Sequence, residues 1–508
     1  MTSANKILSL AGLAEKVAAL KKEGKGVVHC HGVFDLLHIG HIRHFEEARK
    51  HGDVLMVTVT PDQFVNKGTN RPVFTGALRV EAIAALEVVD FVAINKWPTG
   101  SELLRLLRPD VFCKGGEYRE RQVDADTALG PEIEVARELG IRVEYTDDIA
   151  FSSSNLLNAN FSPFPPETDA WLADFRDRYT PEEVIAFLDE ARPKKVLVVG
   201  EAIVDEYVFV DTIGKSTKDP VLACQFRETA AFPGGSLAIA NHLAGFCDEV
   251  GLITYLGETE RREEFVRSAL LPQVKAEFVT KHGAPTIHKR RFVDSYTQSK
   301  LLELYVMDDS PMRGDDEQIL VDRLKETVAD YDLVIACDYG HGMLTSAAIE
   351  VLCKDTGFLV VNTQSNAGNR GFNPISKYWR ADYVCLANHE VSIETRLRDG
   401  DPKDLLMEVA QRINCRRFTV TRGKAGSLHY EPGHGFTEVP AFATKVTDRV
   451  GAGDALLALN SLLVIQGAPW DVIGFAGNIA GAQLVADLGN RVPLHKVPVA
   501  KQMIALMK

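Results

Sequence analysis

Short, nearly continuous apolar runs recur along the second half of the chain, and this repetition is the feature that most restricts its fold. Runs that are apolar at neighbouring positions, rather than at every second one, are typical of parallel strands covered on both faces. Helical patterns lie between them, so the sequence predicts an α/β fold with a doubly wound sheet. The runs, between residues 196 and 423, are "VLVVG", "EVGLITYLG", "DLVIACDYG", "GFLVVNTQ", "ADYVCLAN" and "RRFTVTRG".

One segment of this half has a different pattern. Residues 207–235, "YVFVDTIGKSTKDPVLACQFRETAAFPGG", alternate more between apolar and polar side chains and contain turns. Such alternation is typical of strands with one exposed face. We therefore expect a small β lid over one edge of the sheet, and we expect that lid to join two subunits in a homodimer.

The chain is too long for one hydrophobic core, since it has 508 residues. Its composition changes at "NANFSPFPPETDAW", where closely spaced prolines disfavour helix and favour an extended tether. Helical patterns follow this tether. We predict a first domain over 1–159, linker helices over 160–193 and a second domain over 194–508.

The first domain contains a strand pattern, a glycine turn and a helical pattern in succession, in "GVVHC" and "HGVFDLLHIGH". The first N–H groups of a helix lack intrahelical partners and its dipole is positive there, so such a turn favours anions. Gly40 would let a phosphate approach the backbone. His38 and His41 could then stabilise the charge that develops when an α-phosphate is attacked.

Two other interpretations of these histidines are a solvated helix face and a metal site. Zinc is disfavoured because no cysteine or carboxylate cluster lies nearby at ligand spacing. The surrounding strand, turn and helix favour the phosphate site.

The second domain has its own glycine turn at a predicted helix start, in "VTDRVGAGDALLALNSLL". Gly451, Ala452 and Gly453 would present bare N–H groups to an anion, and Asp454 could take a proton from an attacking hydroxyl. The alternative is an aspartate that only caps the helix. Two further segments favour the chemical role: "TVTRGKAGSLHY", which is suited to nucleotide phosphates, and "FPGGSLAIANHLAGF", a glycine pair before a helix.

The first domain resembles the HxGH nucleotidyltransferases, which include heptose-phosphate adenylyltransferases and alcohol-phosphate cytidylyltransferases. Four stretches match in order: "GVFDLLHIGH", "VNKGTNRPVFTGALRVEAIAALEVVDFV", "RPDVFCKGGEY" and "FSSSNLLN". The resemblance implies a Rossmann-like domain in which His38, His41 and Lys114 are catalytic. It implies nucleotide contacts from Gly32, Phe34, Gly40, Lys67, Arg79, Gly115, Ser152, Ser153 and Ser154.

The second domain resembles the ribokinase-like sugar kinases over about 195–500. In that family a glycine turn, which corresponds to residues 451–453 here, holds the transferred phosphoryl group. The aspartate that follows, here Asp454, deprotonates the sugar. The resemblance implies ATP as a substrate together with Mg²⁺, for which no protein ligand cage is visible in the sequence. It implies nucleotide contacts from Thr421, Gly423 and Gly426, and substrate contacts from Asp205, Gly234, Gly235 and Asn388.

Together the two domains are similar to the bifunctional heptose-phosphate kinase/adenylyltransferases, with the domain order reversed. That similarity implies phosphorylation of a sugar or sugar phosphate at the anomeric hydroxyl. It implies that the sugar 1-phosphate then receives a nucleotidyl group, with ATP as the expected donor, and that pyrophosphate is released. The product would be a nucleotide-activated sugar for a surface polysaccharide or glycoconjugate.

The chain departs from this pattern in its expected sugar site. Ala238 stands where the kinase family has an asparagine, His341 where it has a basic residue after "DYG", and Val391 where it has an acidic residue. Residues 362–364, Asn-Thr-Gln, replace Asp-Pro-Lys. These changes favour kinase chemistry on a sugar other than heptose.

Two alternatives stay open. The first domain could be a cytidylyltransferase for a sugar or alcohol phosphate, although "TDDI" replaces the family's "RTxG" before the serine-rich turn. The second domain could be a kinase-like regulator that binds a sugar phosphate without turnover; the intact Asp454 speaks against that.

Charge and cysteine content narrow the partners and the compartment. The formal net charge of −13 disfavours nucleic acid and anionic membranes. No apolar run approaches the roughly 20 residues that cross a bilayer. The eight cysteines form no CxxC pair and suggest reduced thiols. We therefore expect a cytoplasmic enzyme.

Overall fold

The computed structural model describes residues 3–65, 72–115, 130–146 and 163–507. The chain divides into two compact units, Met1–Pro163 and Phe164–Lys508. In the described ranges, no helix is both long and apolar enough to cross a membrane.

The first unit is built on a five-stranded sheet in the order β3-β2-β1-β4-β5, and every neighbouring pair is parallel. This is the Rossmann-like arrangement that the sequence predicts. Its strands are β1 (Val27–Gly32), β2 (Val54–Val59), β3 (Phe91–Ile94), β4 (Val111–Lys114) and β5 (Arg142–Tyr145). Its helices are α1 (Leu10–Lys22), α2 (Ile39–Arg49), α3 (Gly76–Ala84), α4 (Ser101–Leu107) and α5 (Gly130–Glu138).

Local sequence explains the first elements of this unit. Ser9 caps α1, since its side chain accepts a hydrogen bond from the Gly12 N–H. Leu13 and Val17, four residues apart on α1, are buried in the core. Val27 and Val28 are both fully buried, as expected of a central strand covered on both faces.

The second unit contains a nine-stranded sheet in the order β10-β9-β6-β13-β14-β15-β16-β17-β18. All pairs from β10 to β16 are parallel, and the six apolar runs supply β6, β9 and β13–β16. The sequence interpretation did not include β10 or the antiparallel hairpin β17–β18. The strands are β6 (Lys195–Gly200), β9 (Glu249–Thr259), β10 (Val274–Pro285), β13 (Leu333–Asp338), β14 (Leu359–Thr363), β15 (Tyr383–Ala387), β16 (Phe418–Thr421), β17 (Ser427–Glu431) and β18 (Gly435–Val439).

A separate four-stranded sheet forms the lid, in the order β12-β11-β7-β8. The alternating segment supplies its two longest strands, as predicted. The lid strands are β7 (Ala202–Lys215), β8 (Leu222–Gly235), β11 (Ile287–Asp294) and β12 (Lys300–Val306).

Helices cover both faces of the large sheet, which completes the doubly wound architecture. They are α6 (Pro166–Arg178), α7 (Pro181–Glu190), α8 (Ser236–Ala244), α9 (Glu263–Ala269), α10 (Asp315–Thr327), α11 (Ser346–Asp355), α12 (Asn388–Thr395), α13 (Pro402–Ala410), α14 (Ala452–Ile465), α15 (Trp470–Val485) and α16 (Lys496–Leu506).

The two helices predicted as a linker, α6 and α7, pack into the core of the second unit. Leu172, Phe175, Val184 and Leu188 are each at most 1% exposed and belong to its main apolar cluster. Thr180 and Glu183 form a capping box at the start of α7. These helices therefore contribute directly to the stability of the second unit.

Both sheets place a crevice where the strand order reverses. In the first sheet this point lies between β1 and β4, and in the second between β6 and β13. Ligands of open α/β sheets bind outside the carboxyl ends of the strands at such points. The residues that follow β1, β4, β6 and β13 are therefore the first candidates for function.

A fragment of residues 164–508 should unfold cooperatively, whereas residues 194–508 should unfold at a clearly lower temperature. The shorter fragment lacks the four buried side chains of α6 and α7, and burying each such side chain contributes about 1.5–3 kcal/mol. Calorimetry on both fragments measures this difference, with the full chain as reference. Equal midpoints would mean that the two helices only connect the units.

Candidate functional site

The histidines of the HxGH motif lie at the start of α2. His38 is the N-cap residue, and its Nδ1 accepts a hydrogen bond from the Gly40 N–H at 3.1 Å. The rings of His38 and His41 stack, with centroids 3.9 Å apart. The structure thus brings both imidazoles to a helix N-terminus beyond β1, where an anion is favoured.

The loop between β1 and α2 has a strained backbone. Phe34 and Leu36 have φ of +48° and +52°, in a region of backbone conformation that residues other than glycine rarely adopt. The Phe34 ring contacts His41 edge-on, with centroids 5.4 Å apart. A Cβ on Gly32 would lie 2.9 Å from the Phe34 ring. Gly32 therefore gives the space in which Phe34 supports His41.

Lys114 ends β4, the strand beside β1, and Gly115 follows it. The Lys114 ammonium forms a buried ion pair with the Glu132 carboxylate at 2.7 Å. Glu132 also accepts a hydrogen bond from the Gly100 N–H. Near the end of β1, His31 Nδ1 and His29 Nε2 both form hydrogen bonds with the Thr58 hydroxyl. Burial and the nearby Lys114 lower the pKa of His31 to about 3, so the ring is neutral at physiological pH.

The side chain of Arg79 is fully buried in the first unit. Its guanidinium donates to the carbonyls of Val33, Phe74 and Thr60 and pairs with Asp62 at 2.6 Å. Arg79 therefore positions the loop that carries the motif.

Four of the expected nucleotide ligands cannot be placed. Lys67, Ser152, Ser153 and Ser154 lie outside the described residues.

The glycine turn of the second unit forms the N-terminus of α14. Gly451 is the N-cap residue with φ +84°, and a Cβ there would lie 1.8 Å from Asn490 Oδ1. Gly453 has open space around its Cβ position. Ala452 and Asp454 lie in the first helical turn. The turn thus presents free N–H groups next to a carboxylate.

Asp454 is half-buried, and its environment suits a proton acceptor. The Tyr339 hydroxyl donates to Asp454 Oδ1 at 3.1 Å. Burial raises the pKa of Asp454 to about 7, and the charges of Asp205 and Glu390 act in the same direction. A base with a pKa near the working pH is the most effective in general-base catalysis.

Asp205 lies on the lid strand β7 and forms a buried ion pair with Arg291 of β11 at 2.5 Å. A Cβ on Gly234 would lie 2.3 Å from Asp205 Oδ2, so the glycine pair makes room for this carboxylate. Gly235, with φ +58°, is the N-cap of α8. The pair therefore connects the lid to the helix that begins beside it.

The remaining expected nucleotide contacts lie on the β16–β17 hairpin. Thr421 ends β16, and Gly423 and Gly426 have φ of +58° and +78°. A Cβ on Gly426 would lie 2.0 Å from the Val439 carbonyl oxygen.

Asn388, an expected substrate contact, begins α12, and its Oδ1 is buried without a hydrogen-bond partner among the described residues.

Sequence reasoning missed four polar residues of these sites: Glu132, Tyr339, Arg291 and Lys289. Lys289 is only 6% exposed, and burial lowers its pKa despite the nearby Asp205. Lys289 and Arg291 lie in a run of polar residues on β11, Tyr339 directly follows β13, and Glu132 lies among other charged residues of α5, so no spacing pattern reveals them. The one available signal was a charged residue within a strand pattern.

In the described part of the chain, no three histidine, cysteine or carboxylate side chains are placed to hold a metal ion.

Comparison with family models assigns both halves. Residues 193–496 match the pfkB family carbohydrate kinase model, which covers more than half of the chain. The chain belongs to the pfkB family of carbohydrate kinases. Residues 29–157 match the model named cytidylyltransferase-like, so this pfkB protein carries a nucleotidyltransferase-type domain at its N-terminal end.

Curated relatives match the N-terminal part. The bifunctional protein HldE of Desulfatibacillum aliphaticivorans is 40% identical over 151 residues, which are 29% of this chain and 29% of the relative. HldE of Geotalea uraniireducens strain Rf4 is 41% identical over 141 residues, 27% of each chain. The match thus spans less than a third of the relatives' length.

Among solved structures, phosphofructokinase-2 from Escherichia coli in complex with potassium aligns with a TM-score of 0.51 at 16% identity. The alignment covers 62% of this chain and 99% of that chain. This likeness concerns the fold, and it confirms the ribokinase-like architecture.

Replacing Gly451 with alanine should destabilise the second unit by about 1–3 kcal/mol, the cost of a strained backbone conformation. The matched control is Gly453→Ala, which should leave the midpoint of thermal unfolding unchanged or slightly higher, because the position is helical and open. Calorimetry measures both. A Gly451→Ala protein as stable as the Gly453→Ala protein would contradict the close approach of Asn490.

Proposed function

We propose that the chain is a bifunctional sugar-activating enzyme. The second unit phosphorylates a sugar or sugar phosphate at the anomeric hydroxyl with ATP, and the first transfers a nucleotidyl group from a nucleoside triphosphate, with ATP as the expected donor, to the sugar 1-phosphate. The observation that carries this proposal is the half-buried Asp454, set at a glycine-turn helix N-terminus in a pfkB domain. The product is a nucleotide-activated sugar for a surface polysaccharide or glycoconjugate.

In the kinase reaction, Asp454 takes the proton of the acceptor hydroxyl as its oxygen attacks the γ-phosphorus. The N–H groups of residues 451–453 stabilise the negative charge on the transferred phosphoryl group. Asp205, oriented by Arg291, accepts a hydrogen bond from another hydroxyl of the sugar. Mg²⁺ accompanies ATP as part of the substrate and neutralises phosphate charge.

In the nucleotidyl transfer, an oxygen of the sugar 1-phosphate attacks the α-phosphorus and pyrophosphate leaves. His38 and His41 stabilise the charge on the α-phosphate at the N-terminus of α2. Lys114, held by Glu132, stabilises the phosphates from the end of β4. Gly115 and the residues of the serine-rich turn contact the nucleotide.

The same proposal includes partners and location. Substrates are sugar phosphates and nucleoside triphosphates, without nucleic acid or membrane. A cytoplasmic location agrees with eight cysteines that are all free in the described residues. We also propose that the lid joins two copies, because exposed apolar side chains lie on it, among them Ile213, Phe226 and Leu302.

A second candidate function retains nucleotidyl transfer but changes the partner reaction. The first unit would be a cytidylyltransferase for a sugar or alcohol phosphate, and the second would regulate it or act on a different sugar. The match to a cytidylyltransferase-like model favours this candidate. So does Ala238, a buried residue at the position where the resemblance expects a sugar-binding asparagine.

Changing His38 or His41 to alanine should reduce nucleotidyl transfer by about 10²–10³-fold, the effect of removing one preorganised charge-stabilising group. Kinase turnover should be unchanged. Pyrophosphate release with a panel of sugar 1-phosphates, assayed with ATP and with CTP, measures the effect and separates the two candidates. His51→Ala, on the same segment beyond α2, is the control. Full activity in both variants would make the imidazoles structural.

Asp454→Asn should reduce sugar phosphorylation by about 10²–10⁴-fold, because it keeps the shape of the turn and removes the base. In the unchanged protein the rate should rise with pH and level off above about pH 7, where the Asp454 carboxyl is ionised. ADP formation with a panel of sugar phosphates, including heptose 7-phosphate, measures both. Nucleotide binding without turnover on any sugar would favour the regulatory candidate.

A further inference from the structure

Hydrogen bonds fix Tyr339 from three sides, next to the end of β13. Its backbone N–H donates to Glu201 Oε2 at 3.0 Å. Its carbonyl accepts from the side-chain amides of Asn366 and Asn369 at 2.9 and 2.8 Å. Its hydroxyl donates to Asp454 Oδ1 at 3.1 Å. The position of this hydroxyl is thus set by more than its bond to Asp454.

The asparagines belong to a loop, residues 364–374, that packs tightly on this segment. Asn373 donates to the Asp338 carbonyl at 2.9 Å. A Cβ on Gly340, whose φ is +69°, would lie 2.1 Å from Asn369 Nδ2. This asparagine loop follows directly on the Asn362–Gln364 segment, one of the departures seen in the sequence. It holds the backbone on both sides of Tyr339.

The hydroxyl faces a carboxylate that is difficult to ionise. Tyr339 is the one side-chain hydrogen-bond donor to Asp454 among the described residues. Burial raises the pKa of Tyr339 itself well above its usual value, so the hydroxyl stays protonated and can donate at every working pH. Other groups that influence Asp454 are Asp205 and Glu390, which disfavour its charge, Lys289, which favours it, and the thiols of Cys337 and Cys385.

We propose that Tyr339 is a positioning residue of the kinase: its hydroxyl orients the Asp454 carboxylate and stabilises its charge, and the asparagine loop holds Tyr339. The inference rests on the proposed function, in which Asp454 is the base. With Oδ1 engaged by Tyr339, Oδ2 is left to receive the proton. The acceptor O–H bond breaks with its proton going to Oδ2, the bond from oxygen to the γ-phosphorus forms, and ADP leaves with the electron pair of the broken P–O bond.

A test without any sugar uses the pH dependence of stability. The pKa of Asp454 is about 7 in the folded protein against an ordinary value of 3.8. The folded state therefore binds more protons in this window, so the free energy of unfolding falls as pH rises from about 4 to 7. Asp454→Asn should remove that fall. Tyr339→Phe removes a group that favours the ionised carboxylate, so it should raise the pKa further.

The decisive measurement is a double-mutant cycle on the full chain. Tyr339→Phe should lower the unfolding midpoint more at about pH 8.5 than at about pH 5.5. In the Asp454→Asn background this pH-dependent part should disappear. A pH-dependent loss of the same size in both backgrounds would overturn the proposal, since a purely structural tyrosine does not distinguish them.

Tyr378→Phe is the matched control. Tyr378 is equally buried and donates its hydroxyl to a different carboxylate, Asp338 Oδ2, at 2.7 Å. Any pH dependence of its effect should survive in the Asp454→Asn background. Asn366→Ala is the second variant: it should show the behaviour of Tyr339→Phe with a smaller amplitude. Coupling to Asp454 that is as large for Tyr378 as for Tyr339 would also overturn the proposal.

The kinase provides an independent readout. With a sugar phosphate that supports turnover, Tyr339→Phe should move the rise of kcat with pH upward by about one pH unit, with little change in KM for ATP. An unchanged pH profile would refute the proposal even if activity fell. If no sugar is phosphorylated, the proposed function fails, and the stability cycle still decides whether Tyr339 controls Asp454.

Discussion

A buried carboxylate at the point where the large sheet reverses its strand order organises the second unit. Glu201 follows β6, is fully buried and accepts the backbone N–H groups of Tyr339, His341 and Met343 at 3.0, 3.1 and 3.3 Å. Removing such an acceptor would leave three buried donors unpaired, which costs far more than one ordinary hydrogen bond. Through Tyr339 this bond network reaches Asp454. The geometry of the base is therefore set in the core rather than by the glycine turn alone.

In the first unit, a buried cation rather than a carboxylate bonds to the backbone. Arg79 binds three backbone carbonyls around the loop that leads to the HxGH motif, and Asp35 of that loop accepts the N–H groups of Val73 and Phe74. Both units thus hold a loop by a buried ionisable side chain that bonds to the backbone. A charge of this kind costs desolvation, and it persists only where every polar group around it finds a partner.

Whether a feature could be predicted from the sequence depends on how far apart in the chain its interacting residues lie. The parallel strands, the HxGH turn and the GAGD turn follow from patterns of a few neighbouring residues, and the structure contains them where the sequence predicts them. Tyr339 and Glu201, 138 residues apart, and Lys114 and Glu132 meet only after folding. The pattern of α6 and α7 revealed an apolar face but not what it covers, and Arg79 was identified as basic without any sign of its burial.

The proposed sugar site of the second unit also depends on buried ionisable side chains. The His341 Nδ1–H donates a hydrogen bond to Asp309 Oδ1 at 2.7 Å, and burial lowers the pKa of His341 to about 4, so the ring is neutral. A neutral ring cannot supply the positive charge that the resemblance places after "DYG", whereas the buried Lys289 supplies one from the lid. Positive charge near this ring therefore comes from Lys289 on β11 and from Lys281 on β10, whose ammonium donates to the His341 carbonyl at 3.4 Å. The glycine turn is retained while the polar groups around it differ from the family pattern, and this supports our proposal that the reaction is kept and the sugar differs.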